Sequence, residues 1–574
     1  MRRRVMSMLV GAALAASTLL GGAGSATAAA PPPEFGNDWH DPVTAAPPVS
    51  KPQTTSCEVK LAEAQFRDFT PYKGDYAPPR ACGKSGRWGK VVLRMDGKVK
   101  GRQYDRLGYL RVGGVEVFRT STPEPSVDGI AWSVEKDVTR YRETFSRDRQ
   151  VEMLIGNVVD ETYTGIIDVQ VTLTFYAPER RNEPRQPRDA ALSATAAPFA
   201  QTASSTQAAP STQAGTSAPA AAPDRVIPLG DSTSLSTPRN SERIVAEVYA
   251  TGSGGGCEEY WYLTVPDAAP YSCKADQGPY REVQVTVDGR LAGIAAPFPT
   301  VWTGGWSNPF LWYVIPGPRA FDIKPVEYDL TPFAGLLNDG RPHKVEVSVV
   351  GVPEAQTGWN TPVNVLVWQD EQKERVTGGL IRHAEGDLVN EPSYTPGSGD
   401  APHSLQTRGG HRLSISGYVN TSHGRVATTV TRTLANTSAH RWTEGEAMDA
   451  LKATWTDREM VTTGHRAVRH HRTYTMDGTT TLGAGDRLRT EISLGDREEG
   501  GTTQYGKGGE RRVNRSVTDD RYDGDATYTA NVPRDQRHAV GTSRERYRMI
   551  GDSGCYDRTL ATVQGTLTED RLRC

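Results

Sequence analysis

Hydrophobic and polar residues alternate in short runs along much of the chain. In residues 169–176, Val169, Val171, Leu173 and Phe175 are separated by polar residues. A period of two places successive side chains on opposite faces of a strand, so this run predicts a half-buried β-strand. Residues 283–287 and 344–350 have the same pattern and predict further strands.

Glycine and aspartate punctuate these runs. Asp288-Gly289 follows one strand and Asp96-Gly97 follows the apolar run 91–95, and both dipeptides are typical of tight turns between strands. Long amphipathic stretches are few, and only residues 137–142 and 330–337 suggest short helical turns. The fold class is therefore predicted to be all-β, built from sandwiches.

The composition changes twice along the chain. Residues 180–224 are dominated by Ala, Ser, Thr, Pro and Gln, with too few large apolar side chains to offset the entropy cost of ordering, so they predict a disordered linker. Beyond about residue 371 the chain is rich in Thr, Arg, Gly and His, with strand-like runs at 411–419, 425–434 and 468–476. We expect one extended sheet or two small domains there.

The N-terminus has the features of an export signal. Three arginines at positions 2–4 precede an apolar stretch and the small-residue site Ala26-Thr27-Ala28, which predicts a signal peptide over residues 1–28 and a secreted, extracellular protein. No later apolar run reaches the roughly 18 residues that cross a bilayer, so we expect no membrane anchor.

The chain of 574 residues is long enough for several folded units. The predicted division is a signal peptide, an N-terminal tail, a first sandwich, the linker, a second sandwich and a β-rich C-terminal region, at residues 1–28, 29–56, 57–179, 180–224, 225–372 and 373–574.

Charge and cysteine content narrow the class of partner. The formal net charge of −2, with basic and acidic residues mixed, lacks the basic patch expected of a nucleic-acid-binding protein. Six cysteines in an exported chain predict three disulfides, and their grouping favours bridges between neighbours: Cys57, Cys82, Cys257, Cys273, Cys555 and Cys574. No pair has the CxxC spacing of a zinc site, and we expect no metal and no organic cofactor.

Two motif clusters lie on opposite sides of the linker. The first is Gly-Arg-Gln-Tyr-Asp-Arg-Leu-Gly at 101–108, followed by a Gly-Gly-Val-Glu-Val-Phe-Arg-Thr-Ser-Thr-Pro-Glu-Pro run at 113–125. The second is Gly-Cys-Glu-Glu-Tyr-Trp-Tyr at 256–262, followed by the aromatic and proline-rich run 296–306. With residues 132–141 and 328–333, these motifs resemble the peptide N-glycanase A family of peptide-N4-(N-acetyl-β-glucosaminyl)asparagine amidases over residues 66–370.

A more distant similarity is to the bacterial peptide N-glycosidase F enzymes, and it implies two adjacent jelly rolls with an active site in the cleft between them. Their aspartate motif is similar to Tyr-Asp-Arg at 104–106, and their Gly-Cys-x-Glu-Trp motif to Gly-Cys-Glu-Glu-Tyr at 256–260. The resemblance implies that Asp105 is the primary catalytic residue and Glu259 its partner, with Glu258 an alternative because the register can slip. Leu107, and Tyr260 in place of Trp, depart from these patterns.

Amide hydrolysis requires an activated water and donors for the tetrahedral oxyanion. We therefore expect Asp105 to position or deprotonate water, Arg106 to orient that carboxylate or stabilise negative charge, and Glu259 to serve the glycosylamine nitrogen or the first sugar. The alternatives are a surface ion pair for Asp105 and Arg106, and solvated carboxylates beside a disulfide for Glu258 and Glu259. Two carboxylates can also cleave a glycosidic bond, and only the resemblance favours the amide.

Further candidates are aromatic or polar. Trp302 and Trp306 can present aromatic faces to sugar rings, although large aromatics are equally expected in a sandwich core. Asn157 and Glu161 lie near the position where the distant relatives have a third, substrate-binding acidic residue. His465, His470 and His471 suggest a metal, but histidines on strands are more often surface or packing residues.

Together these features predict a monomeric, secreted amidase acting on N-glycosylated peptides or glycoproteins, with no nucleic-acid or membrane partner. The alternatives are a carbohydrate-binding protein without activity, an endoglycosidase that cuts within the chitobiose core, and a structural adhesion protein.

Overall fold

The computed structural model describes residues 30–179, 222–230, 233–253, 256–302, 306, 308–354, 358–399, 401–506, 509–552 and 554–574. The predicted signal peptide and all but residues 222–224 of the predicted linker lie outside these described residues. No helix within these ranges is long and apolar enough to cross a membrane.

The first folded unit is a sandwich of two antiparallel sheets. Its strands are β1 Ser56–Phe66, β2 Tyr72–Tyr76, β3 Lys90–Lys100, β4 Leu107–Val112, β5 Val115–Ser121, β6 Ile130–Asp137, β7 Arg149–Ile155 and β8 Ile166–Tyr176. Within the described residues the sheets have the orders β1-β8-β3-β6 and β2-β7-β4-β5.

The second unit follows the predicted linker. Its strands are β9 Arg225–Pro228, β10 Ser234–Leu235, β11 Ser241–Val248, β12 Thr251–Gly252, β13 Glu282–Val287, β14 Arg290–Ala295, β15 Val326–Asp329, β16 His343–Val350, β17 Trp359–Asn360 and β18 Val363–Gln369. Its two main sheets have the orders β15-β11-β18-β9 and β10-β16-β13-β14, and β12 pairs with β17 beside them.

The two sandwiches share one topology. When the short β12 and β17 are set aside, each sandwich pairs its first, eighth, third and sixth strands in one sheet, and its second, seventh, fourth and fifth strands in the other. This is the eight-stranded jelly-roll arrangement. The expectation of two adjacent jelly rolls in an all-β chain is confirmed.

The C-terminal region forms one continuous sheet. Its strands are β19 Thr377–Glu385, β20 Val389–Thr395, β21 His403–Thr421, β22 Gly424–Trp442, β23 Met448–Thr463, β24 Arg466–Gly483, β25 Arg487–Gly506, β26 Gly509–Thr529, β27 Val540–Gly551, β28 Gly554–Val563 and β29 Thr566–Leu572. In the described residues these strands make an eleven-stranded antiparallel sheet, in which β19 and β20 both pair with β21. Of the two arrangements expected from the sequence, the extended sheet is the one observed.

Short helical segments connect the strands. The described helical elements are the 3-10 turns Arg80–Cys82, Thr139–Tyr141, Thr144–Ser146, Cys257–Leu263, Pro309–Leu311, Thr331–Phe333, Glu444–Glu446 and Arg534–Gln536, and the α-helix Ala334–Leu337. The two helical turns expected from the sequence lie at 139–141 and 331–337.

The predicted alternation holds in β8. Val169, Val171, Leu173 and Phe175 are buried, and the residues between them are more exposed. Because β8 is paired on both edges, by β1 and β3, this strand lies in the middle of its sheet and its inward face forms the sandwich core. Each such side chain contributes about 1.5–3 kcal/mol when fully buried.

The two Asp-Gly dipeptides have different outcomes. Asp288 and Gly289 have φ values of +48° and +76° and connect β13 to β14 in a tight hairpin, as predicted. The turn predicted at Asp96-Gly97 is wrong, because β3 continues through it to Lys100. The ring of Trp132 lies so close to Gly97 that a Cβ at position 97 would be 2.4 Å from it. This glycine therefore accommodates the Trp132 ring and does not form a turn.

The three predicted disulfides are confirmed as bridges between neighbouring cysteines. The pairs are Cys57–Cys82, Cys257–Cys273 and Cys555–Cys574.

Buried polar groups connect the two sandwiches. Arg119 of β5 is fully buried, and its guanidinium donates hydrogen bonds to Glu116, to Thr251 at 2.8 Å and to Asn360. Asn364 of β18 donates to the backbone oxygen of Glu116 at 2.8 Å. Since a buried guanidinium is costly unless its donors are satisfied, this network specifies how the sandwiches dock.

The C-terminal sheet packs against the second sandwich. Arg319 forms a two-point ion pair with Asp496 of β25, and His411 of β21 hydrogen bonds Glu282 of β13 at 2.8 Å. The ring of Trp261 lies 5.6 Å from that of Trp455. The long strands therefore support the second sandwich along one of their faces.

Candidate active site

Asp105 lies in the loop that joins β3 to β4, and this loop is anchored to residues 156–165. The amide of Gln103 donates to the backbone oxygens of Val158 and Gly165, at 2.8 and 3.0 Å. The backbone NH of Gly165 donates to Arg102 at 2.9 Å. Asp105 is half-buried, so the loop holds its carboxylate at the edge of the sandwich with access to solvent.

Arg106, beside Asp105, is held by two neighbours. Its guanidinium donates two hydrogen bonds to the side-chain oxygen of Gln103. Its backbone NH donates to the Thr122 hydroxyl at 2.9 Å, and the Thr122 NH returns a bond to the Arg106 oxygen at 3.0 Å. The role expected for Arg106 on the Asp105 carboxylate stays a prediction.

Glu258 forms a buried ion pair with Arg281. Arg281 donates to its two carboxylate oxygens at 2.9 and 2.6 Å, and the indole NH of Trp359 donates at 2.6 Å. Both Glu258 and Arg281 are about 1% exposed. Because these hydrogen bonds compensate the burial of both charges, Glu258 has a structural explanation that needs no substrate.

Glu259 has a different environment on the same turn. It is half-buried, and the Tyr260 hydroxyl hydrogen bonds its carboxylate. Burial raises the pKa of Tyr260, and the negative charges of Glu259 and Asp105 raise it further. Asp105 from the first sandwich and Glu259 from the second thus act on one phenol, so the fold brings the two predicted carboxylates into one neighbourhood.

An aromatic pair that sequence reasoning missed flanks Asp105. The ring centroids of Tyr104 and Tyr163 are 4.8 Å apart, and the guanidinium of Arg102 lies 5.4 Å from the Tyr163 ring. Tyr104 is 45% exposed, which leaves ring surface open beside the Asp105 carboxylate. The sequence signal for Tyr104 was its place in the aspartate motif, whereas Tyr163 had none.

Glu124 is an acidic residue that sequence reasoning also missed. It is 8% exposed, and its pKa is raised well above the usual range, first by burial and then by the charge of Asp105. Arg534, Arg537 and Arg102 partly offset this effect. The available signal was a carboxyl group between two prolines, at 123 and 125, at the end of the first motif cluster.

Trp302 and Trp306 are buried, at 3% and 4% exposure. The Trp306 ring stacks on Tyr262 at 6.1 Å and lies over Gly478 of β24, so it packs between the second sandwich and the C-terminal sheet. Their contact with sugar stays a prediction, and their neighbours 303–305 and 307 lie outside the described residues.

Asn157 and Glu161 are placed differently from each other. The Asn157 side chain is fully buried and donates to the backbone oxygens of Phe66 and Gly165, at 2.9 and 3.0 Å, so it anchors the 156–165 loop. Glu161 is exposed on that loop, beside Asp160, which caps the following turn through the backbone NH groups of Thr162 and Tyr163. Their role in substrate binding stays a prediction.

The histidines considered as metal ligands lie on the C-terminal sheet. His470 is buried and hydrogen bonds Glu498 at 2.8 Å, and His471 contacts Arg458. In the part of the chain that the structure describes, no group of three or more His, Cys, Asp or Glu residues is arranged to hold a metal.

A cavity of about 1090 Å³ lies elsewhere, between the N-terminal segment (residues 30–55), both sandwiches and the C-terminal sheet. Its walls include Trp132, Phe321, Asp520 and Tyr547, and they include neither Asp105 nor Glu259.

Comparison with known proteins agrees with the motifs. Residues 42–385 match the sequence profile of the family described as peptide N-acetyl-beta-D-glucosaminyl asparaginase amidase A. The chain belongs to this family. The family segment contains both jelly rolls, the Asp105 and Glu259 loops and strand β19, and most of the C-terminal sheet lies beyond it.

One curated member of similar sequence is peptide-N4-(N-acetyl-beta-glucosaminyl)asparagine amidase A from Prunus dulcis. It is 30% identical over 402 residues, and the alignment spans 66% of this chain and 66% of the relative, or just under two thirds of each. Among solved structures, a structure of PNGF-II aligns with this chain with a TM-score of 0.34 and 13% identity. The alignment covers 55% of this chain and 66% of the PNGF-II chain.

Proposed function

We propose that the protein is an exported amidase that hydrolyses the side-chain amide between an N-linked glycan and asparagine in glycopeptides or glycoproteins. Membership of the asparaginase amidase A family carries this proposal. The printed activity of the Prunus dulcis relative supports the same reaction class. We expect a monomer that needs no cofactor.

The proposed site is the surface between the Asp105 loop and the Cys257–Leu263 turn. The joint effect of Asp105 and Glu259 on Tyr260 supports this location. The occupied oxygens of Glu258 favour Glu259 as the second carboxylate. The exposed ring of Tyr104 is suited to pack against the apolar face of a sugar.

The proposed reaction is a water-dependent cleavage of the amide C–N bond. Asp105 accepts a proton from water as the water oxygen bonds to the amide carbon. The tetrahedral oxyanion then collapses and the C–N bond breaks as the proton held by Asp105 passes to the departing nitrogen. The products are an aspartate in the peptide and a glycosylamine, and Asp105 is again a carboxylate.

Export is proposed on two observations. The N-terminal 28 residues have the composition of a signal peptide. Three disulfides involve all six cysteines, as is typical of proteins that mature in an oxidising compartment.

The test is digestion of a defined N-glycopeptide in water enriched in heavy oxygen, followed by mass spectrometry of the peptide. An amidase converts the glycosylated Asn to Asp carrying the heavy oxygen. An endoglycosidase leaves one sugar on Asn, and a binding protein leaves the glycopeptide intact, and either outcome contradicts the proposal.

A further inference from the structure

The connection between β26 and β27 places two arginines of the C-terminal sheet beside aromatic rings, one of them in the N-terminal segment. This connection contains the turn Arg534–Gln536 and is joined to the N-terminal segment by a hydrogen bond of 2.7 Å from the Phe35 NH to the Ala539 oxygen. The Arg534 guanidinium lies 4.6 Å from the ring of Trp39. Arg537 is 5.7 Å from the ring of Tyr528, at the end of β26.

An aromatic cluster holds this connection against the second sandwich. The cluster joins three separate parts of the chain, with ring centroids 4.0 to 6.1 Å apart, and consists of Phe35, Trp39, Phe310, Tyr313 and Tyr528. Aromatic contacts of this kind contribute about 0.5–1.5 kcal/mol each beyond the area they bury. The two arginines are therefore held on a packed support.

Glu124 lies between this support and the Asp105 loop. Three residues after Glu124, the backbone NH of Val127 donates to the backbone oxygen of Asn37 at 2.8 Å. Asn37 is close in sequence to Trp39. Two residues before Glu124, Thr122 exchanges two hydrogen bonds with Arg106. The backbone on either side of Glu124 is thus anchored to the N-terminal segment and to the residue that follows Asp105.

The charges that face Glu124 come from every element packed around it. Asp105 and Arg102 are on the β3–β4 loop, and Arg534 and Arg537 are on the β26–β27 connection. Two phenols of the aromatic cluster, Tyr313 and Tyr528, also interact with Glu124. Glu124 therefore has a carboxylate on one side and cations on the other.

Two nearby carboxyl groups in a partly dry site cannot both ionise without a large cost. Glu124 is the more buried of the two and therefore the harder to ionise, and burial and the negative charge of Asp105 both raise its pKa. A second negative charge at this place would also repel the oxyanion that forms during amide hydrolysis. The neutral form of Glu124 therefore suits the reaction.

We propose that Glu124 is a positioning residue that acts through Asp105, and that Arg534 and Arg537 make the C-terminal sheet part of the same site by balancing the charge of this carboxyl pair. The activity readouts of this proposal rest on the proposed amidase function.

The test uses three full-length variants: Glu124→Gln, the double variant Arg534→Gln/Arg537→Gln, and Arg521→Gln as control. Arg521 is an exposed arginine on β26 that pairs with Asp519. The kcat and KM of each are measured on one N-glycopeptide across the pH range.

In the wild type, kcat falls as pH rises through the pKa of Glu124. In Glu124→Gln this limb disappears, because glutamine cannot ionise. Loss of the two cations raises the pKa of Glu124, so in the double variant this limb moves to higher pH, by about one unit. Arg521→Gln retains the wild-type profile.

Identical pH profiles for wild type, Glu124→Gln and the double variant overturn the proposal. A folded Glu124→Gln that is inactive at every pH also overturns it, because Glu124 would then transfer a proton itself.

Thermal unfolding gives a readout that does not need activity. A carboxyl group whose folded pKa lies above its unfolded value, about 4.3, destabilises the fold increasingly as pH rises from there through the folded pKa. The Tm of wild type relative to Glu124→Gln therefore falls over that range, even if the wild type proves to have no amidase activity. A pH-independent difference contradicts the assignment of Glu124.

Discussion

Arg281 holds Glu258 through two hydrogen bonds, of 2.9 and 2.6 Å, while the next residue, Glu259, remains half-buried and bonded to Tyr260. Two adjacent carboxylates thus have different environments, one inside an ion pair and one at the surface between the sandwiches.

Substitution of these two residues should separate stability from activity. Glu258→Gln leaves the buried Arg281 charge uncompensated and should cost about 3–5 kcal/mol in the free energy of unfolding, measured with urea. Glu259→Gln should fold normally and lose amidase activity by about 10²- to 10⁴-fold. A fully active Glu259→Gln would show that the second carboxylate is misassigned.

Asp105→Asn should lower kcat/KM on an N-glycopeptide by about 10²- to 10⁴-fold, because the amide cannot accept the proton from water. Asp148→Asn is the matched control, since Asp148 is an exposed aspartate of the same sandwich. Thermal unfolding of both variants checks that they fold. Equal activity of the two variants would remove Asp105 from the mechanism.

The Cys257–Cys273 disulfide closes a loop with a sequence separation of 16 that contains Glu259. Replacing both cysteines by serine should cost about 3 kcal/mol of stability, measured by denaturant unfolding, and should lower activity because the turn carrying Glu259 loses its anchor. The control is the double variant Cys555→Ser/Cys574→Ser, since the Cys555–Cys574 disulfide links Cys574 to β28. An undiminished activity in the first variant would contradict the link between this bridge and the site.

His411 connects the C-terminal sheet to Glu282 of the second sandwich, and the hydrogen bond to Glu282 raises the pKa of His411. Because the folded pKa lies above the unfolded value of about 6.5, the stabilisation is fully present below that pH and is lost as pH rises through the folded pKa. The loss of Tm caused by His411→Gln should therefore be larger at a pH below about 6 than at a pH of about 9. A loss of Tm that is constant with pH would argue for packing alone.

Arg119 should keep the two jelly rolls associated when the chain is cut between them. We expect that proteolysis within residues 180–221 leaves one particle on size-exclusion chromatography, because the Arg119 network is independent of that segment. Arg119→Met removes a buried guanidinium bonded to both sandwiches, costs about 3–5 kcal/mol, and should weaken the association of the cut halves. Separation of the cut wild type would contradict this role.

Local pattern was sufficient for the strands and for one turn. The alternation in residues 169–176 and 283–287 required a buried face, and Asp288-Gly289 could form the hairpin because both residues adopt positive φ. The same dipeptide at 96–97 lies within strand β3. Glycine is required at position 97 because the ring of Trp132, 35 residues away, leaves no space for a Cβ. Nothing close to Gly97 in sequence carries that information.

The residues alone were enough to predict the all-β class, the cysteine grouping and the family, and they singled out the two acidic motifs as candidates. Only the tertiary structure distinguished Glu258 from Glu259, because Arg281 and Trp359 approach from β13 and β17. It alone brought Glu124, Arg534 and Arg537 together, from segments more than 400 residues apart in sequence. The physical reason is that burial and charge depend on what packs around a group, and in a fold of non-local strand pairs those neighbours are distant along the chain.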